Sequence, residues 1–369
     1  MKEFVRAKVD TAVDFWRQYE HRLGLGSLAV GFTFDLFIAK SPDSIVDNIL
    51  LLSYLFIAGS IIILLNIRTR RQMEAELPSE PLILLLILQF CFGGLASNLL
   101  VLYGKSGTFA GSAFFLLLLV ALIFGNEYLR SRYSQLRFNI VVYYFLLLTY
   151  CIIAAPTFIF HSVGVGPFLL SGAISLIVIT FYLALLFVVV LRGDKQKQIK
   201  DIGTYVLVIF VIFNGLYFLN IIPPVPLSLK DIGIYHSILK YSSGDYLALY
   251  ESPPWYQFWR DTNATFQYVP GQSAYCFSSV YAPADIDTPI DHKWEHYNDA
   301  TGEWDILSRV TFPISGGRAD GYRGFSATAA LSPGKWRCDV ETQGGALIGR
   351  TSFTAVLASS TPTLSQITL

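Results

Sequence analysis

The sequence predicts a chain in two parts: an α-helical polytopic membrane domain of about seven spans, then an extracytoplasmic all-β, Ig-like sandwich. Three observations predict it. The 369 residues are 53% hydrophobic and only 15% charged, against about 25% charged in an average soluble domain. Apolar runs long enough to cross a bilayer, roughly 17 to 25 residues each, recur through the first 222 positions and then stop. Beyond them come short alternating runs bounded by Gly, Pro, Asn or Asp, the pattern of antiparallel strands.

The seven apolar runs cover approximately 23–39, 45–66, 81–103, 107–125, 138–160, 166–191 and 203–222. The segments RTRRQ, YLRSRYSQLR and LRGDKQKQIK follow the second, fourth and sixth runs, whereas the other connections contribute only Lys40 and Lys105. Basic connections stay in the cytoplasm, so the N-terminus is expected inside and everything after 222 outside. Lys2, Arg6, Lys8, Arg17 and Arg22 agree. Residues 1–22 place Phe4, Val5, Val9, Val13 and Trp16 near helical spacing, which predicts an amphipathic helix on the cytoplasmic side. No compact apolar region followed by a small-residue cleavage site marks a signal peptide. The expected location is a bacterial plasma (inner) membrane.

Within the membrane half, Asp35, Asp47, Asn48 and Asn98 are candidate functional groups, joined near the outer ends of the spans by Asp43, Lys105 and His161. Carboxylates at membrane depth are costly and usually functional. One reading is an ion- or proton-coupled path through Asp35 and Asp47. The other is a polar network tying the helices together; Asp43 is placed to cap a helix.

The outer half divides into a linker (223–261), a β-sandwich (262–357) and a flexible tail (358–369). About seven strands are expected in the sandwich, from TFQYVP to ALIGRTSFTAV. In KWRCDVET, Trp336, Cys338 and Val340 alternate with Arg337, Asp339 and Glu341, so one face is core and the other wet, and QGG supplies a hairpin turn.

Four motifs in this region are HxW (His292, Trp294), GGRADGYRG (316–324), PGKWRCDVET (333–342) and IGRTSF (348–353). Together they resemble the bacterial family described as domain of unknown function 2914, whose members join a multi-span region to such a domain. The likeness extends weakly into the membrane half through GFTFDLF, DNILLLSYL, GNEYLRSRY and IPPVPLSLKD. It implies the architecture and no activity. Family members often carry lysine where this chain has Thr328 and valine where it has Cys338.

Candidate ligand-binding residues are Arg318, Tyr322, Arg323, His292, Trp294 and Arg337. Arginine forks grip carboxylates or phosphates, and the aromatics, with Trp255 and Trp259, suit sugar faces. The competing reading pairs the arginines internally with Asp320, Asp339 or Glu341. HKWEH (292–296) fits a zinc-peptidase pattern that needs a helix, but this stretch alternates as a strand, so neither metal nor cofactor is expected. Cys276 and Cys338 are either a disulfide of an oxidising compartment or two small buried hydrophobes. The sequence shows no P-loop, no nucleophile elbow and no dinucleotide fingerprint. The net charge of +0 gives no pull toward nucleic acid. The expected partners are the bilayer and an envelope glycan or envelope protein, and an enzyme is the weaker expectation.

Overall fold

The computed structural model describes residues 44–75, 82–105, 115–121, 136–189, 195–219, 221–222, 226–257, 261–283, 286–316, 321–329 and 331–369. The first apolar run with Asp35, Asp43, the N-terminal amphipathic segment, Arg318, Asp320 and Trp259 lie outside the described residues. By contact the chain forms two units. One comprises 1–102, 114–152 and 171–215; the other comprises 103–113, 153–170 and 216–369.

Among the described residues five helices are long and apolar enough to cross a membrane: α1 (Ile45–Ala75), α2 (Leu82–Lys105), α3 (Leu136–Ala155, continued by a π-helical turn at Pro156–Phe160), α4 (Val165–Val189) and α5 (Lys195–Phe218). Their apolar stretches of 21 to 25 residues measure roughly 31–38 Å at 1.5 Å per residue, a match to a hydrocarbon core of about 30 Å. The fourth apolar run is described only over 115–121, which is helical. α1 opens on Ser44, whose Oγ accepts from the Asp47 amide (3.3 Å) and whose carbonyl accepts from Asn48 Nδ2 (2.9 Å). Ser44 therefore caps the helix, and Asp47 sits in the first turn, where a negative charge suits the helix dipole.

Polar side chains inside the helices mostly satisfy themselves on their own backbone. Asn98 Nδ2 donates to the Gly94 carbonyl (2.9 Å), Thr149 Oγ1 to Phe145 and Asn214 Nδ2 to Phe210. At Pro156, which cannot donate, Thr157 Oγ1 reaches back to the Ile153 carbonyl (2.8 Å) as the helix widens. Specific ties join the helices: Tyr182 Oη donates to the Gly59 carbonyl (2.8 Å), and Arg137 at the start of α3 pairs with Asp201 near the start of α5 (2.9 Å).

Among the described residues the second unit holds eleven strands: β1 (Ser228–Tyr235), β2 (Ser237–Lys240), β3 (Tyr246–Tyr250), β4 (Thr265–Tyr268), β5 (Ala274–Tyr281), β6 (Asp287–Asn298), β7 (Glu303–Ser315), β8 (Tyr322–Thr328), β9 (Gly334–Thr342), β10 (Leu347–Leu357) and β11 (Ser365–Thr368). They build sheets ordered β1-β5-β8, β4-β10-β9-β6-β7 and β11-β3-β2. The first two pack face to face. Their core joins Ile234, Phe266, Cys276, Trp294, Trp336, Cys338 and Phe353, continued by Val280, Ile290, Ile314, Val340 and Ile348. Each such side chain taken from water contributes roughly 1.5–3 kcal/mol. β5 is buried along both faces: Cys276 and Val280 look toward the five-stranded sheet, while Phe277 packs with Tyr235 of β1 and with Ile238, Tyr246 and Ala248 of the β11-β3-β2 sheet, a second core cluster.

Three expectations need correction. The 223–261 linker contains β1, β2 and β3, because Leu229, Ile232, Ile234 and Tyr235 find long-range partners in β5 that local pattern does not reveal. The 358–369 tail is not loose: β11 pairs with β3, the Leu369 amide donates to the Tyr246 carbonyl (2.8 Å), and Leu369 packs against the cluster of Tyr235, Ile238, Tyr246, Ala248 and Phe277. The strands are also not all antiparallel, since β4 joins β10 in parallel.

Candidate functional site

Alternation in β6 and β9 sends His292, Trp294, Trp336, Cys338 and Val340 inward and Asp291, Lys293, Glu295, Arg337, Asp339 and Glu341 to the opposite face. That second face is not wet. Asp291, Glu295, Asp339 and Glu341 are each at most 4% exposed, because bases roof them. Lys293 Nζ stands at the centre, 3.1 Å from Glu341, 3.5 Å from Asp339 and 3.7 Å from Glu295. Arg350 from β10 grips Asp339 with two parallel bonds of 2.6 Å. Arg309 from β7 bridges Asp291 (2.7 Å) and Glu341 (2.8 Å), and Thr311 Oγ1 also donates to Asp291 (2.7 Å). Arg337 closes the array on Glu295 and lies 4.2 Å from the Trp304 ring centre, beside Tyr297.

The four acids and four bases of this array balance in charge. The hydrogen bond that Arg309 donates to Asp291, which outweighs the opposing effect of burial, holds its guanidinium above its ordinary pKa, and the bond that Arg350 donates to Asp339 does the same. Both guanidinium groups keep an outward edge in solvent, with side chains 41% and 38% exposed. The acids clamp their inner edges, leaving oriented donors at the surface.

The other sequence candidates are placed differently. His292 and Trp294 are fully buried. Burial pushes the His292 pKa down to about 3, partly opposed by Asp291. Its two ring nitrogens meet Ser278 Oγ (2.7 Å) and Ser326 Oγ (2.9 Å), and Trp294 Nε1 donates to the same Ser326 oxygen (2.9 Å). HxW is thus an internal polar brace, and a surface ligand cannot reach it. His296 instead rests on Trp336 and faces Ser332 and the Pro333 carbonyl. Cys276 and Cys338 are bridged across the two sheets beside Trp294 and Trp336, an arrangement typical of immunoglobulin sandwiches.

In GGRADGYRG, Gly316 has no room for a side chain: a Cβ there would fall 1.7 Å from the Pro283 carbonyl oxygen. Gly321 adopts φ 79° against Ser279 and Val280, a conformation suited to glycine. Tyr322 packs on the second core. Arg323 donates to the Leu369 carbonyl (3.0 Å), approaches Asp245 (3.8 Å) and lies over the Tyr246 ring. Among the described residues of this stretch, Gly316 and Tyr322 pack into the domain and Arg323 is held by internal partners. In the helical unit Asp47, Asn48 and Asn98 are all buried.

The sequence pattern singles out Arg337 and Arg350 as bases of a possible cationic site, but not Asp291, Lys293, Glu295 and Arg309 as their companions. The signal was present: charged residues occupy every second position of DHKWE and of WRCDVE, in two strands that pair.

A family model and solved structures match parts of the chain. The family model described as protein of unknown function (DUF2914) matches residues 287–355, the span from β6 to β10. No curated protein matches the chain. Two solved structures are similar to parts of it. One is an immunoglobulin-like protein from Pseudomonas aeruginosa, 12% identical, covering 36% of this chain and 98% of its own, with a TM-score of 0.22. The other is the Pseudomonas fluorescens alkylpurine DNA glycosylase AlkC bound to DNA, 9% identical, covering 86% and 99%, with a TM-score of 0.24. At these scores neither carries an argument about this chain.

Proposed function

We propose that this is an integral protein of a bacterial plasma membrane whose seven spans hold an Ig-like β module outside the cell membrane, and that the charged face of the five-stranded sheet binds an envelope glycan. The observation that carries the reading is the pair Arg309 and Arg350, each fixed from below by a buried acid and open above. A ligand's hydroxyl or carboxylate oxygens would meet donors already immobilised, which lowers the entropic cost of binding. With the local charge balanced, recognition rests on hydrogen-bond geometry, and an acidic glycan gains no long-range steering. The test is titration of the full chain in lipid nanodiscs with neutral and acidic peptidoglycan fragments. Arg309→Lys and Arg350→Lys keep the charge but lose the fork, and together should weaken binding by about tenfold or more, some 1.4 kcal/mol. If no fragment binds, or if the lysine variants bind as well as the parent, the glycan reading fails, and an envelope protein is then the partner class to screen.

A second reading, an ion- or proton-coupled transporter with the β module as a cap, draws on Asp47, only 4% exposed within the helices. It requires that Asp47→Asn abolish flux in proteoliposomes while the protein still folds; undiminished flux ends it.

A further inference from the structure

The connection between α3 and α4 takes an uncommon path. The π-helical turn at Pro156–Phe160 ends on His161, which is left-handed at φ 48° and ψ 35°. Among the described residues it is the only non-glycine residue with a positive φ. Such a residue is strained and persists only where its surroundings over-determine it. The His161 ring is exposed, so the contact that fixes the backbone lies further along. Two residues on, Val163 packs against the core cluster that contains Leu227, Ala282, Ile286 and Ile290. These mark the end of the sandwich at which β1 begins, since Ser228 pairs with Tyr281. Gly164 (φ 135°) then turns the chain into α4, its carbonyl accepting from the Phe168 amide (3.1 Å). Phe168 in turn stacks on Tyr217 near the end of α5, with ring centres 3.6 Å apart. Residues 153–170 and 216–369 accordingly fall in one compact unit.

We infer that the α3–α4 connection is a socket for the β module: His161 turns Val163 into the apolar end of the sandwich, and this contact, rather than the chain link from α5 to β1, holds the module in place. The link alone is too long to do so. Nine residues separate Phe218 from Ser228, a reach of roughly 33 Å at full extension, enough for an undocked module to swing. Val163 adds a branched apolar side chain to a cluster in which Leu227 and Ile286 are fully buried, and removing that side chain from water stabilises the docked state. The left-handed His161 is the cost of aiming it there. Any movement of the module then bears first on the ends of α3 and α4, which this connection joins. The inference is independent of what the charged face binds.

The test places the photoreactive analogue p-benzoyl-phenylalanine at Ser162, half-buried beside Val163, in the full chain in native membranes. Irradiation should give intramolecular adducts on peptides that contain Leu227 or Ile286. Lipid adducts alone, or no adduct, overturn the inference. A Gly/Ser insert of about twelve residues between Pro224 and Val225 adds roughly 20 Å of mean reach and should leave the adduct yield unchanged; a several-fold fall would mean that the link, not the socket, holds the module. Adding Val163→Asp to the lengthened chain should cut the yield several-fold, and a retained yield counts against the socket. His161→Gly suits the left-handed backbone and should keep the parental yield, whereas His161→Val, which that conformation disfavours, should reduce it. Equal yields from these two variants would overturn the role given to His161.

Discussion

His292 serves the β domain through its hydrogen bonds, and its charge would be a liability. Above its unfolded pKa of 6.5 the histidine is neutral in both states. As pH falls below 6.5 the unfolded chain takes up a proton that the native ring refuses until about 3, so stability is lost across that window at up to about 1.4 kcal/mol per pH unit. Melting curves of parent and His292→Gln between pH 7 and 4 should differ in this slope, the variant being flatter; parallel curves would show that His292 is not the titrating group. At Gly316, alanine must displace the Pro283 carbonyl, a backbone overpacking expected to cost on the order of 1–3 kcal/mol. Denaturant unfolding that leaves Gly316→Ala at parental stability would contradict the packing. Neither role was legible in the sequence. HxW and GGRxxGYRG stand out as motifs, but whether a histidine faces solvent or two serines 14 and 34 positions away is decided by strand pairing, which local spacing does not encode.

At the scale of elements, the seven strands from β4 to β10 were readable because alternation and turn residues are local signals, and all seven lie where TFQYVP through ALIGRTSFTAV places them. β1, β2, β3 and β11 were not, since each is short or irregular and gains its order from a distant partner. The same limit hid the character of the outer face: alternation assigns Asp339 and Glu341 to the side away from the core, yet only the neighbouring strands supply the bases that cover them. This layer makes a measurable commitment. Asp339→Asn leaves Arg350 and Lys293 with one buried anion fewer, and removing one member of such a pair costs about 3–5 kcal/mol when fully buried. Because the bases are partly solvated, a loss of roughly 1–3 kcal/mol is expected here. Unfolding in urea should show it, and the difference should shrink only modestly in high salt because Asp339 itself is 1% exposed and poorly screened. A variant as stable as the parent would mean the array is not cooperative.

For the whole molecule the decisive property is sidedness, and it follows from parity. Arg137 and Asp201 pair the starts of α3 and α5, so these two helices begin at the same face and α4 returns between them. If all three cross, the connection at 161–164 and everything after Phe218 share one side, while LRGDKQKQIK, between α4 and α5, lies on the other. That segment carries Arg192, Lys195, Lys197 and Lys200, and basic connections are retained in the cytoplasm. On the proposed reading the β module then lies outside, where an oxidising compartment suits the bridge between Cys276 and Cys338. In spheroplasts, a cysteine replacing the exposed Lys335 should react with a membrane-impermeant maleimide, and one replacing Lys200 should react only after lysis. The reverse pattern would put the module in the cytosol, remove the envelope as its source of ligands, and leave the charged face to be matched against cytoplasmic partners instead.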